Sequence, residues 1–228
     1  MMKSITYKFI LIAFLLCMGG KSAIAQFNIQ DLEGRPILKK AYTNIEGSPY
    51  LHADWGKGMV KLSDGTTYKQ IELLYDQVSD ELLFKGPDGQ MRSFVDTVKE
   101  FEIQLPSENA GLTSHIFRRG YTSLNRSADG AFYEVLTDGA TQLLKRTTKA
   151  ILEETTYSSA TKIKRFHENV TYYISKNEKL TKIKPDKKAV IAALSDKAPE
   201  IEKYLKEKKP DLKKDAELAA LVTYYNTL

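Results

Sequence analysis

Cysteine is all but missing from this chain: Cys17 is the single one in 228 residues. It lies inside an N-terminal apolar run, residues 9–18, preceded by Lys3 and Lys8 and followed by the small-x-small triplet Ala23-Ile24-Ala25 ahead of Gln26. That order of charge, apolar run and small residues is the three-part pattern of a secretory leader, with cleavage expected between Ala25 and Gln26. Cleavage there discards Cys17, so the exported chain is expected to have no disulfide, no Cys-ligated zinc and no thiol nucleophile. Leu16 stands where a bacterial lipoprotein needs a small residue before its acylated cysteine, which argues against lipidation. A secreted domain without disulfides must rely on its core, which suits a bacterial envelope better than a small animal secreted domain.

Long hydrophobic runs are missing too. The leader's apolar stretch is about half of the roughly 20 residues that a spanning helix needs, and nothing later is longer. An excess of one charge is also largely absent from the exported chain. The formal charge is +5. Lys3, Lys8 and Lys21 leave with the leader and no acid leaves with them, so the balance falls to +2. A nucleic-acid partner loses its electrostatic support and its compartment together. What remains is about 200 residues, enough for one domain with a sizeable core or for one domain and a small appendage.

What is present is the rhythm of hairpins. Four Asp-Gly pairs (Asp64-Gly65, Asp88-Gly89, Asp129-Gly130 and Asp138-Gly139) punctuate residues 59–152, and Asp-Gly suits tight hairpin turns because both positions tolerate positive φ. Between them run alternating segments. Ile71, Leu73 and Tyr75 share one face, and Phe101, Ile103 and Leu105 another, opposed by Glu100, Glu102 and Gln104. Alternation of this kind marks strands with one buried and one wet face. About ten short strands are expected across residues 26–184, including residues 115–118, 142–152, 163–168, 171–175 and 180–184. Residues 109–114 and 122–130 read as flexible loops, and residues 26–48 as a lead-in segment.

After Pro185 the period shifts from two toward 3.6. Ala189, Val190, Ala193 and Leu194 make one apolar stripe. Ser195 is expected to cap a second helix carrying Ile201, Tyr204 and Leu205, and Leu218, Leu221, Val222 and Tyr225 define a third. The expected class is therefore mainly β (α+β): an antiparallel β-meander, open barrel or sandwich over residues 26–184, with a short three-helix appendage over residues 185–228.

Chemistry-bearing motifs are sparse. His52, His115 and His167 show no metal spacing, and no G-x-S-x-G elbow occurs. Gly56-Lys57-Gly58 lacks the Walker spacing and reads as a turn before a strand. The adjacent acids Asp80-Glu81 and Glu153-Glu154 would face opposite sides of a strand, so neither pair converges on one bond. No catalytic residue, metal ligand or cofactor contact is assigned, and no cofactor is expected. Two places stand out as ligand or partner contacts. Arg118-Arg119-Gly120-Tyr121 could hold a carboxylate or phosphate, and Trp55 could anchor a partner or plug one end of the core.

The segments Gly47-Ser48-Pro49-Tyr50-Leu51, Lys57-Gly58, Asp64-Gly65, Asp80-Glu81-Leu82 and Phe94-Val95-Asp96, with the tail pairs Tyr172-Tyr173 and Tyr224-Tyr225-Asn226, give the chain an overall pattern. That pattern resembles a group of uncharacterised secreted proteins of Bacteroidota. The resemblance implies a Gram-negative cell envelope and carries no activity or site. Periplasm is the expected compartment, with the extracellular space as the alternative. The expected role is a non-catalytic binding module for an unknown protein or small apolar ligand. A lipid or lipoprotein chaperone, a hydrolase with a non-local site near His115, Arg118 and Arg119, and a stress-associated protein whose basic helices touch anionic membranes stand as alternatives.

Overall fold

A computed structural model describes residues 32, 34–37, 42–107, 111–122, 130–155, 162–177 and 179–228, with Thr155 described by its backbone only. The expected leader and the expected cleavage site between Ala25 and Gln26 lie outside the described residues, as do Asn109, Asp129 and most of the 122–130 segment. Twelve strands are described: β1 (Gly34–Pro36), β2 (Ile45–Glu46), β3 (Gly56–Leu62), β4 (Thr67–Asp76), β5 (Glu81–Lys85), β6 (Met91–Phe94), β7 (Val98–Ser107), β8 (Gly111–Arg118), β9 (Tyr133–Thr137), β10 (Thr141–Thr155), β11 (Lys162–Lys176) and β12 (Lys179–Ile183). Three helices follow: α1 (Lys187–Ala193), α2 (Ala198–Lys208) and α3 (Asp215–Tyr225). The fold is mainly β, a single open sheet dominated by antiparallel pairs with a short helical C-terminal part. No described helix is long and apolar enough to cross a membrane.

The strand order is β1-β6-β5-β4-β3-β7-β8-β9-β10-β11-β12, with β2 joined in parallel to β11 at Lys164 and Arg165. Two meanders, β3–β6 and β7–β12, are thus fused through the β3·β7 ladder. Asp-Gly turns join β3 to β4, β5 to β6 and β9 to β10, and Gly65, Gly89 and Gly139 all take positive φ.

The sheet is strongly curled. β4 and β8 are separated by β3 and β7, which on a flat sheet would hold them about 14 Å apart. Yet the Tyr75 and Phe117 rings meet at 5.1 Å, and Tyr75, Phe101, Phe117 and Phe132 form one aromatic knot. Two bulges drive the bend. The β3·β4 register slips between Gly58 and Met59, opposite Gln70 at φ 59°, and β3·β7 slips between Lys61 and Leu62. Gly56-Lys57-Gly58 is accordingly not a turn: it opens β3. A Cβ on Gly58 would sit 2.1 Å from the Glu102 carbonyl oxygen, so only glycine lets β3 and β7 approach this closely.

Other expectations shift. Residues 111–114 belong to β8 instead of a loop, because the β7·β8 ladder continues to Ser107 opposite Gly111. Residues 163–168 and 171–175 are one strand, since β10 and β11 pair without a break from Thr141↔Lys176 to Thr155↔Lys162. Ser195 does not cap α2. It starts a 3₁₀ turn, Ser195–Lys197, and α2 begins at Ala198 with Pro199 in its first turn. α1 is capped by Asp186, whose carboxylate accepts from the Ala189 N–H at 2.8 Å.

One face of the sheet carries two hydrophobic clusters. The first fills the curl with Val60, Ile71, Phe84, Phe101, Ile103 and their neighbours. The second lies under the helices, where Leu143, Ile174 and Ile183 meet Val190, Leu194, Ile201, Leu218 and Leu221. On the opposite face Tyr133, Leu144 and Leu180 form a smaller third.

Candidate functional site

Cross-strand pairing places Phe117, Glu134, Lys145 and Tyr172 in one row, on the face that carries both larger clusters. The row is polar after Phe117 and forms the seam between the two cores. His115 Nδ1 lies 2.6 Å from Glu134 Oε1, Lys145 Nζ lies 3.3 Å from Glu134 Oε2 and 2.7 Å from Asp215 Oδ2, and the Tyr172 hydroxyl donates to Asp215 Oδ1 at 2.6 Å. Burial by itself would lower the Lys145 pKa, but Glu134 and Asp215 outweigh it and hold the amine above its ordinary value. Burial and then Asp215 push the Tyr172 hydroxyl up to about 12. Each charge faces an opposite one, so the network pins α3 to the sheet.

Arg118 and Arg119 are adjacent in sequence and separate in role. Arg118 faces the opposite side of the sheet from His115. Its Nε donates to Glu100 Oε2 at 2.5 Å and its Nη2 to Asp138 Oδ2 at 3.2 Å. Burial opposes its charge, but these two acids outweigh it and hold the pKa above the ordinary guanidinium value. Arg118 therefore serves as a cross-strand tie, with both neighbouring acids already engaged. Arg119 lies past the end of β8. Its N–H donates to Lys99 O at 3.1 Å, and its guanidinium stacks 3.6 Å above the Phe132 ring. It opens on a cavity of about 330 Å³ shared with Ser79, Asp80, Ser93, Thr97 and Phe132.

Asp80 is the organiser of that end. It sits at φ 56°, accepts the Tyr75 hydroxyl at 2.5 Å and the Phe132 N–H at 3.3 Å, and lies 3.8 Å from Arg146 Nη2. Its neighbours come from β4, β10 and the segment before β9, so the curl brings together residues far apart in sequence. His115, Arg118 and Arg119 do not converge: one faces Glu134, one Glu100 and Asp138, one Phe132 and the cavity. Trp55 is half-buried just before β3 and joins none of the three clusters. Among the described residues no group of three or more His, Cys, Asp or Glu side chains is arranged to hold a metal.

The β10–β11 hairpin is the feature that sequence reading missed. β9 pairs with β10 only at residues 143–145, and β12 with β11 only at residues 172–176. Beyond those contacts the hairpin runs on as a ribbon, joined among the described strands only by the two-residue β2 on the β11 side, at Lys164 and Arg165. It touches the rest of the molecule at a clasp: the Lys149 N–H donates to Gln77 O at 3.0 Å, and Lys149 Nζ donates to Ser48 O at 3.1 Å and Tyr50 O at 2.6 Å. Further out, Phe166 packs edge-on against Tyr42 at 5.5 Å, and Arg165 pairs with Glu46 at 2.7 Å. Ile151 and Leu152 are 41% and 44% exposed, on opposite faces of the ribbon. The available signal was the 15-residue run of β10 without Gly, Pro, Asn or Asp, matched by a 15-residue β11 interrupted only by Asn169.

The fold thus defines a class, a curled open sheet with a helical cap and a projecting ribbon. Comparison of the chain with protein-family models, with curated proteins and with solved structures finds no match.

Proposed function

We propose that this chain is an exported, non-catalytic binding module of a bacterial envelope, and that it presents the outer part of the β10–β11 ribbon to a protein partner. The observation that supports this reading is the free edge of β10. Past Lys149 no described strand pairs with that edge, and Ile151 and Leu152 expose apolar surface beside it. Only the two-residue β2 supports the outer ribbon, from its β11 side, and an unpaired edge with apolar flanks is the surface on which an incoming strand adds by main-chain hydrogen bonds. The curl's interior supports the same reading against a lipid carrier, because buried aliphatic and aromatic side chains fill it.

The experiment is site-specific photocrosslinking in the source envelope. A photoreactive residue at Ile151 is expected to trap one discrete protein, and the band is expected to vanish when Leu152→Lys is added. The control is Leu112, which is 67% exposed on β8 and lies outside the ribbon. Identical crosslinks from positions 151 and 112, or a band indifferent to Leu152→Lys, would overturn the reading.

A further inference from the structure

The Arg119 cavity stands on different residues from the ribbon, and the two readings fail separately. Arg119 is half-buried, yet among the described residues its guanidinium donates to no acceptor, and its Nε is fully shielded from solvent. Arg146 Nε is in the same condition. The Asp80 carboxylate, which lines the same cavity, is already engaged by the Tyr75 hydroxyl, the Phe132 N–H and Arg146. Two guanidiniums therefore share one committed carboxylate. Burial pulls the Arg119 pKa below its ordinary value, with Asp80 compensating only in part. A desolvated cation without a bonded anion is costly, and this one is held rigidly by its stack on Phe132.

We infer that the cavity beneath Arg119 binds the carboxylate of a small monoanionic organic acid with a short apolar tail. The guanidinium fork matches a carboxylate in bidentate geometry. Ser93 and Thr97 add hydroxyls, while Leu82, Phe94 and Val98 supply apolar wall for the tail. Asp80 and Asp96 also line the cavity, and their repulsion grows with the charge of the ligand, which favours a monoanion over a phosphate dianion. At about 30 Å³ per non-hydrogen atom, 330 Å³ holds roughly ten such atoms.

The test titrates the leaderless protein with sodium hexanoate, hexanamide and inorganic phosphate by calorimetry. Hexanoate is expected to bind saturably, and hexanamide and phosphate at least tenfold more weakly. Arg119→Gln is expected to abolish hexanoate binding and Arg119→Lys to weaken it about tenfold. Should Arg119→Gln fail to fold, Thr97→Trp places a bulky ring at an exposed position of the cavity lining, leaves Arg119 unaltered, and is expected to block binding as well. Absence of saturable hexanoate binding by the folded protein, equal binding of hexanamide or phosphate, or unchanged affinity in Thr97→Trp would each overturn the inference.

Discussion

Removing the Lys149 ammonium should release the β10–β11 ribbon without unfolding the sheet. Lys149→Met keeps the aliphatic stem and deletes two charge-assisted hydrogen bonds, to Ser48 O and Tyr50 O. Such bonds contribute about 1.5–3 kcal/mol each. Against that, methionine avoids the cost of burying an ammonium, which is visible as a lowered Lys149 pKa caused by burial, and the freed carbonyls can take up water. The net expectation is about 2 kcal/mol, close to a thirtyfold rise in the opening equilibrium. The assay is amide hydrogen exchange at three adjacent positions. The residue-149 N–H points outward to Gln77 O. Strand alternation turns those of Thr148 and Ala150 toward Asn169 and His167 of β11. The residue-149 amide should exchange about thirtyfold faster, while its neighbours change only a few-fold. An unchanged residue-149 amide would refute the clasp. Equal acceleration at all three positions would show that the ribbon has no local opening of its own.

Further expectations address the curl, the seam and the leader. Gly58→Ala forces a Cβ to within 2.1 Å of Glu102 O and 2.6 Å of Leu73 Cδ1. It should cost about 3 kcal/mol or more in urea denaturation, toward the upper end of overpacking effects, because one obstacle is backbone. Gly65→Ala meets nothing within 4 Å and carries only the strain of φ 94°, about 1 kcal/mol. In the seam, the folded Tyr172 pKa is pushed up to about 12, above the unfolded value near 10, so the fold favours the protonated phenol. That contribution is complete below pH about 10 and is lost as pH rises toward 12. Melting temperature should therefore fall less steeply over this window in Tyr172→Phe than in the wild type, and identical slopes would count against the Tyr172–Asp215 bond. Mass spectrometry of the exported protein should find Gln26 as its first residue, and an intact Lys21 would remove the leader reading.

Much of the strand content could be read locally. The Asp-Gly turns at Gly65, Gly89 and Gly139 demanded positive φ, and the alternation of Phe101, Ile103 and Leu105 named their buried face. Helical periodicity placed Leu218, Leu221 and Val222 inward before any partner was known. The errors share a cause. Gly56-Lys57-Gly58 looked like a turn because a glycine's local signature is the same whether it bends the chain or admits a neighbouring backbone. Residues 111–114 read as a loop because Gly111 is disfavoured in strands and Ser114 gives no strand signal, and the β7 ladder supplies what they lack. Ser195 carried a cap's side chain without the capping geometry. Of the residues picked for binding, Arg119 reaches a cavity, Arg118 is tied within the sheet and Trp55 joins no core cluster.

The sequence alone determined the leader-like pattern, the position of the single cysteine inside it, the near-neutral balance of the residues that follow it and the switch from strand to helix period. Each of these is a property of composition or of neighbours a few residues apart. Only the tertiary structure decided that Asp80 would meet Phe132 and Arg146, that His115, Glu134, Lys145, Tyr172 and Asp215 would form one seam, and that β10 would outrun β9 and leave an edge with which no described strand pairs. Those outcomes depend on how far the sheet curls and where each ladder stops, and both are set by bulges and close backbone approaches between strands distant in the chain.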